Sequence, residues 1–403
     1  MIKEISITNF YSFRQETIKM NPNTNILIGI NGSGKSNFLK VFRLLKEGVA
    51  GIGLKKYVID NLGGFDNCFF KGVNENEAHT ISIEYVFEGD KISQKNYGFH
   101  FVDDIIYRIT LVKALSASNY YIQEKIESDK GFVYLDFTNG SGHLTENMAS
   151  NNKTRLVKYT DYDPQELVMR EVFDTDRYFA LTTLKKAIRD IVVYDYFDTT
   201  PKSPIRRPML PMSEKRLIAD GTNLPQILNA IKINHKPQYR QIAAMLNEVN
   251  PNFTGFDFNF VGGNIELMLE EDKLNSAIHV SNMSDGTLRY LCLLSILYNP
   301  ERGSIICIDE PEAGLHLDMV LNIANAIKAA AEDSTIIIST HSAELLNYFE
   351  IENIRVFEKD EDNATKVVAY TANQFADWYE NFSVGQMWKQ GDLGGVRYGS
   401  GAF

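Results

Sequence analysis

The chain has little cysteine and little tryptophan, three of the first and two of the second among 403 residues. Cys68, Cys292 and Cys307 lie far apart and form no Cys-x-x-Cys pair, so neither a disulfide framework nor a zinc site is expected. Cys292 and Cys307 stand in apolar runs, where a small buried thiol is the expected role. No uninterrupted apolar stretch of about 18 residues occurs, which argues against a membrane-spanning helix and a membrane partner. The opening residues, Met1 to Ile7, carry an acid and alternate as a strand does, unlike a signal peptide, so a cytoplasmic location is expected. An excess of positive charge is also missing: 41 Lys and Arg stand against 52 Asp and Glu, a net charge of −11. That balance disfavours a general attraction to DNA or anionic membranes and leaves room only for a local basic groove. Without a fixed-period repeat or a long heptad run, neither a solenoid nor an extended coiled coil is expected.

What is present begins with Gly29-Ile30-Asn31-Gly32-Ser33-Gly34-Lys35-Ser36. It follows the apolar run Ile26-Leu27-Ile28 and precedes a helix-like stretch from Asn37 to Phe42. In that setting the glycines let the backbone curl so that successive N–H groups face an anion, and the helix that starts there adds its positive end. Lys35 would reach the β- and γ-phosphates, and the Ser36 hydroxyl would join the coordination of Mg²⁺. A plain glycine-rich turn needs neither the strand before it nor the helix after it. A bound nucleoside triphosphate is therefore expected.

A second element of the same chemistry is the apolar run Ser304 to Ile308, which ends in Asp309-Glu310-Pro311-Glu312. A buried strand would deliver Asp309 to the Mg²⁺ shell, and Glu310 could take a proton from an attacking water. The plainer reading is an acidic turn capping a helix from Leu317 to Glu332. Elsewhere, alternation over 81–87, 105–111 and 132–137 predicts antiparallel strands, with 138–164 as a polar loop or boundary. Helical patterns dominate 165–250 around a proline-rich bend from Pro201 to Pro211, strand-like alternation returns over Phe256 to Leu269, and the all-apolar runs Ile305–Ile308 and Thr335–Ile338 suit parallel strands buried on both faces.

Asn282-Met283-Ser284-Asp285-Gly286-Thr287-Leu288-Arg289 resembles the signature motif of ABC-type ATPases in their SMC, RecF and OLD-like branch, with Met283 in place of a leucine. Ala313 to Leu317 occupies the position of that family's D-loop, and Ser339-Thr340-His341-Ser342 matches its switch histidine. Weaker matches are Asn9 to Phe13, with Tyr11 where an arginine is frequent, Ala219 to Leu224, and Met387 to Gly395. The last is similar to the tail of compact stand-alone ATPases of the AAA_21 group. The resemblance implies an α/β P-loop head with an antiparallel β lobe and an inserted helical lobe, divided as 1–138, 139–255 and 256–403. It implies ATP and Mg²⁺ as cofactors. Gly29, Asn31, Gly32, Ser33, Gly34, Lys35, Ser36 and Asn37 would hold the nucleotide, Ser36 and Asp309 the metal, and Glu310, His341 and Lys35 would act in hydrolysis. Ser284, Asp285 and Gly286 would bind the nucleotide held by a second subunit, making a homodimer the functional unit, with higher homo-oligomers open.

The family's Q-loop glutamine has no clear counterpart. Gln94 falls in Lys91–Lys95, which reads as a hairpin, and Asp66 or Asn67 in the Gly63–Asn67 segment is better placed, so the position stays unassigned. Lys202, Arg206, Arg207, Lys215 and Arg216 gather positive charge beside the proline bend. A nucleic-acid or acidic-partner contact competes there with a solvated loop, and the acidic whole favours the loop. Trp378, Tyr379, Phe382 and Trp388 read as packing onto the head rather than as a partner anchor. The expected role is an ATP-driven switch controlling a separately encoded nuclease or toxin in an anti-phage or toxin–antitoxin module. The alternative is a RecF-like clamp on double-stranded DNA. A transporter motor is disfavoured by the signature variant and the large insertion.

Overall fold

Apolar runs that do not alternate need burial on both sides, and they form the middle of the molecule. The computed structural model describes all residues except 74–78, 96, 115–119, 149–152, 376–381 and 395–403. The chain runs β1 (Ile2–Phe10), β2 (Phe13–Lys19) and β3 (Thr24–Ile28) into α1 (Lys35–Ala50), then through α2 (Leu54–Lys56) and α3 (Phe65–Cys68) to β4 (Thr80–Phe87) and α4 (Gly89–Gln94). The strands β5 (Ile105–Lys113), β6 (Tyr120–Ser128), β7 (Val133–Thr138), β8 (Ser141–Met148) and β9 (Lys153–Tyr159) follow. Next come α5 (Val168–Glu171), α6 (Phe179–Arg189), β10 (Ile191–Tyr194), α7 (Leu224–Asn234), α8 (Lys236–Val249), β11 (Phe253–Val261), β12 (Asn264–Glu271) and β13 (Ile278–His279). The last part is α9 (Asp285–Leu297), β14 (Ile305–Asp309), α10 (Leu317–Ala330), β15 (Thr335–Ser339), α11 (Ala343–Leu346), β16 (Ile354–Lys359), β17 (Thr365–Ala369) and a helix over Val384–Gln390.

The central sheet has the order β10-β14-β15-β3-β16-β17, parallel except for β17. Its residues divide between two cores. Leu27, Ile305, Cys307 and Ile337 join α1, α6 and an eight-stranded antiparallel sheet, β2-β1-β4-β5-β6-β7-β8-β9, on one face. Ile26, Ile28, Ile306, Ile308, Ile336 and Ile338 join α7, α8, α9 and α10 on the other. Every residue of α9 from Thr287 to Leu297 is buried, as a helix apolar all round must be. Because β3 lies beside β15, the loop after it opens at the carboxyl ends of β15 and β14, where parallel sheets gather ligands.

Three expectations change. The segment 138–164 is not a polar loop: β8 and β9 form a hairpin that extends the antiparallel sheet, so the boundary expected at 139 falls in the turn between two paired strands. The hairpin reads as polar because one of its inward positions is Glu146, which accepts hydrogen bonds from Tyr178 Oη (2.9 Å) and Arg155 Nη2 (3.2 Å). Lys91–Lys95 is no hairpin, since Gly89–Gln94 is helical. The strand-like alternation over Phe256 to Leu269 is present, as two strands turning at Gly262-Gly263, both at positive φ. Within 139–255, β10 belongs to the central sheet rather than to a helical insertion. All three cysteines are buried. Phe382 and Trp388 pack against the second core, whereas Trp378, Tyr379 and Gly395 lie outside the described residues.

Candidate nucleotide site

The loop after β3 is shaped by strands far away in the chain. Gly29 has φ 144° and Gly34 has φ 115°. A Cβ on Gly29 would overlap the Phe357 carbonyl oxygen of β16, and one on Gly34 would overlap the Thr365 hydroxyl of β17, so close packing as well as backbone angle requires glycine. Thr365 Oγ1 lies 2.7 Å from the Ser33 carbonyl oxygen and 2.8 Å from Ser12 Oγ, and Asn37 Nδ2 donates to Ser12 Oγ at 3.1 Å. Sequence reasoning found no role for Ser12 or Thr365. α1 starts at Gly34 without a side-chain cap and without an acid in its first turn, so its leading N–H groups remain open to an anion. Ser33 Oγ is buried without a hydrogen-bond partner. Lys35 is 6% exposed, and its Nζ donates to the carbonyls of Gly29 (2.8 Å) and Ile30 (3.2 Å). Burial pushes its pKa down to about 8, against the opposing pull of Glu310, Asp309 and Glu312.

The ends of β14 and β15 meet this loop. Asp309 Oδ2 accepts from Ser36 Oγ at 3.0 Å, and its other oxygen accepts from Ser339 Oγ. Glu310 sits at φ 47°, a strained position for a glutamate, held by its N–H bond to the Ser339 carbonyl at 3.0 Å. Its exposed carboxylate lies 3.6 Å from His341 Nε2. Burial, and then the nearby Lys35 charge, lower the His341 pKa, so the ring is neutral at pH 7. Glu312 Oε1 accepts from Thr340 Oγ1 (2.6 Å) and from the His341 N–H (2.9 Å), tying the turn that carries the histidine to the strand that carries the acids. Burial raises the Glu312 pKa. A hydroxyl and a carboxylate converging at Ser36 and Asp309 are hard oxygen donors, suited to a magnesium ion that keeps waters and takes phosphate oxygens as its other ligands.

The structure thus gathers Gly29, Asn31, Gly32, Ser33, Gly34, Lys35, Ser36 and Asn37 with Asp309, Glu310 and His341. Among the described residues, no hydrogen bond or ion pair joins Ser284, Asp285 or Gly286 to residues 29–37, Asp309, Glu310 or His341. Ser284 instead caps α9, its Oγ accepting from the Thr287 N–H at 3.1 Å, and both Ser284 and Asp285 are exposed. Arg289, buried on α9, donates to the carbonyls of Ala313 and Phe197, which fixes the turn at Ala313-Gly314 beside Gly286. Both candidates for the missing glutamine have other partners. Asp66 pairs with Lys113 at 2.7 Å, and Asn67 Nδ2 donates to the Leu62 carbonyl at 2.6 Å. Arg206, expected in a solvated loop, is buried.

A glycine-bent loop between a central parallel strand and an uncapped helix, with a carboxylate two strands over, defines the class: an α/β P-loop ATPase. Within that class the chain belongs to the AAA ATPase domain family, which matches residues 1–346. No curated protein matches the chain. Solved structures share the fold at low identity. An SMC head bound to the C-winged helix domain of ScpA superposes with a TM-score of 0.58 and 14% identity, over 93% of this chain and 99% of that one. An SMC head with an extended coiled coil, bound to the C-terminal domain of ScpA and derived from Pyrococcus furiosus, gives 0.54 and 12%, over 94% and 98%. Among the described residues, no helix is long and apolar enough to cross a membrane.

Proposed function

We propose that two copies of the chain close on two ATP molecules, hydrolyse them and reopen, and that this cycle is the output. The observation that carries the reading is that, among the described residues of one copy, no hydrogen bond or ion pair joins the start of α9 to the loop and acids. The loop, the acids and the switch histidine are assembled, while the exposed start of α9 makes no bond to them. In the closed pair, the N–H groups of Gly32 to Asn37 cradle the phosphates. Lys35 exchanges the Gly29 and Ile30 carbonyls for phosphate oxygens. Ser36 and Asp309 would hold Mg²⁺, which would supply charge neutralisation to the phosphates. Glu310 takes the proton of the attacking water, and the neutral His341 ring beside it orients that water. Ser284 and Gly286 of the partner subunit face the γ-phosphate from the other side, with Asp285 of the partner subunit next to them.

As the recipient of this switch we propose a separately encoded effector, a nuclease or toxin of an anti-phage or toxin–antitoxin module. Support comes from the SMC heads that share the fold, which were solved with a separate protein bound. The alternative, a clamp on double-stranded DNA, is weakened by its proposed contacts: Arg206 is buried and Arg216 is paired with Asp190. The test is Glu310→Gln with saturating ATP, read by light scattering. The expected result is a stable dimer without turnover, while Ser284→Arg in the same background stays monomeric with its single-head ATP affinity intact. A monomer in the first case, or an unchanged dimer in the second, contradicts the reading. Undiminished hydrolysis by Glu310→Gln would remove Glu310 as the base.

A further inference from the structure

The proline-rich stretch between β10 and α7 is irregular, yet it delivers a guanidinium to the interior. Ser203 Oγ accepts from the Ile205 N–H at 3.3 Å and starts a single 3-10 turn over Pro204–Arg206. That turn points Arg206 inward until it is 6% exposed. There Nε donates to the Thr199 carbonyl (2.9 Å). Nη1 lies within reach of the carbonyls of Val280 (3.0 Å), Ser281 (3.2 Å) and Met283 (2.8 Å), and Nη2 donates to Asp285 Oδ1 (2.6 Å). Three of those carbonyls belong to residues just before Ser284, so one planar group sets the path of the backbone into α9. The same group also deals with Asp285. This acid is the first residue of α9, with its side chain 57% exposed, and it places a negative charge where the reading above puts a phosphate. Paired with Arg206, it contributes no net charge and has one oxygen drawn inward.

We propose that Arg206 is a positioning residue for the signature segment. It fixes the backbone of Val280 to Met283 and neutralises Asp285, so that the start of α9 can receive the γ-phosphate of a nucleotide held by a second copy. The inference rests on the two-copy reading above. It makes the bend between β10 and α7 a working part of the site.

The test uses the full chain carrying Glu310→Gln, with Arg206→Ala, Arg206→Lys, Asp285→Asn and the double change Arg206→Ala/Asp285→Asn added. Three quantities are read: the ATP concentration for half-maximal dimerisation, the affinity of single heads for a fluorescent ATP analogue at protein concentrations too low to dimerise, and the thermal melt. Arg206→Ala should raise the first by about 10- to 100-fold, the scale of lost hydrogen bonds to a charged group, and leave the second unchanged. Arg206→Lys should recover part of the loss, having the charge without the fork. Asp285→Asn alone is the reference against which the double change is compared. The double change should outperform Arg206→Ala, because the bare carboxylate is gone. Should Arg206→Ala fail to melt cooperatively, Arg206→Lys carries the test, with weaker dimerisation and unaltered single-head affinity expected. Parent-like dimerisation of either arginine variant overturns the proposal, as does a double change no better than Arg206→Ala. Ser284→Arg in the same background separates the two claims: if it dimerises normally, the two-copy reading itself falls, and if it alone is blocked, only the role of Arg206 falls.

Discussion

The starts of α1 and α9 are both helix N-termini, and they are built in opposite ways. α1 begins at a glycine, with no cap and no acid in its first turn, over a buried lysine. It is braced from behind by Ser12, Phe357 and Thr365. α9 begins with a serine that satisfies one of its own N–H groups and an acid tied to Arg206, and it faces solvent. An uncapped N-terminus above a desolvated charge binds a polyphosphate without help. An exposed, self-capped one is screened by water and holds an anion firmly only when a second surface shuts the water out. On the proposed two-copy reading the contrast becomes a division of labour: affinity for nucleotide at the α1 end, and the response to nucleotide at the α9 end.

The comparison breaks first at Lys35. Lys35→Ala should weaken ATP binding to single heads by about 100-fold, the scale of a lost charge-assisted contact, whereas Ser284→Arg should leave that affinity alone. Equal losses in a fluorescent-nucleotide titration would erase the distinction. A smaller effect sharpens it: Thr365→Val removes the hydroxyl that supports the Ser33 carbonyl and should cost about fivefold in single-head affinity, with dimerisation falling only in proportion. A loss of dimerisation without loss of affinity would place Thr365 at the wrong end.

The smallest effect is that of pH. Lys35 in the free head loses its proton near pH 8 rather than near 10.5, and bound phosphates favour the charged form, so binding takes up a proton. Single-head affinity should therefore fall as pH rises through 8, by about fourfold near pH 8.5 relative to neutral pH, and Lys35→Ala should flatten the profile. The sign for stability is opposite. Between about 8 and 10.5 the unfolded chain still holds the proton that the folded head has released, so this group favours folding more as pH rises across that window. Affinity that climbs with pH would contradict the assignment.

The α1 end is legible in the sequence because its requirements are local. Glycine at 29, 32 and 34, the apolar run before them and the Lys35-Ser36 pair after them sit in one contiguous stretch, and each residue type answers a backbone or charge constraint there. Asp309 and Glu310 are legible for a similar reason, since an apolar strand too short for a helix and ending in two acids has few other uses. The braces are not legible. Thr365 and Phe357 matter to Gly34 and Gly29 only through the order of strands in the sheet, which brings the last third of the chain beside the first. β8 and β9 were hidden by Glu146, a polar residue facing inward with its partners on other elements. Arg206 was hidden by its company: prolines and neighbouring cations describe a solvated bend until the backbone of 280–283 is placed against it.

The most direct test of the central claim is to mix two inactive heads. Lys35→Ala lacks the first half of the site and Ser284→Arg the second, and each alone should show no ATP-dependent turnover. Mixed in equal amounts with ATP, they should form dimers in which the intact loop of the Ser284→Arg chain meets the intact α9 start of the Lys35→Ala chain, and phosphate release should reappear from one site in each mixed pair. A mixture as inactive as its components, or normal turnover by Ser284→Arg alone, would show that one copy of the chain contains the whole site and that the account is wrong.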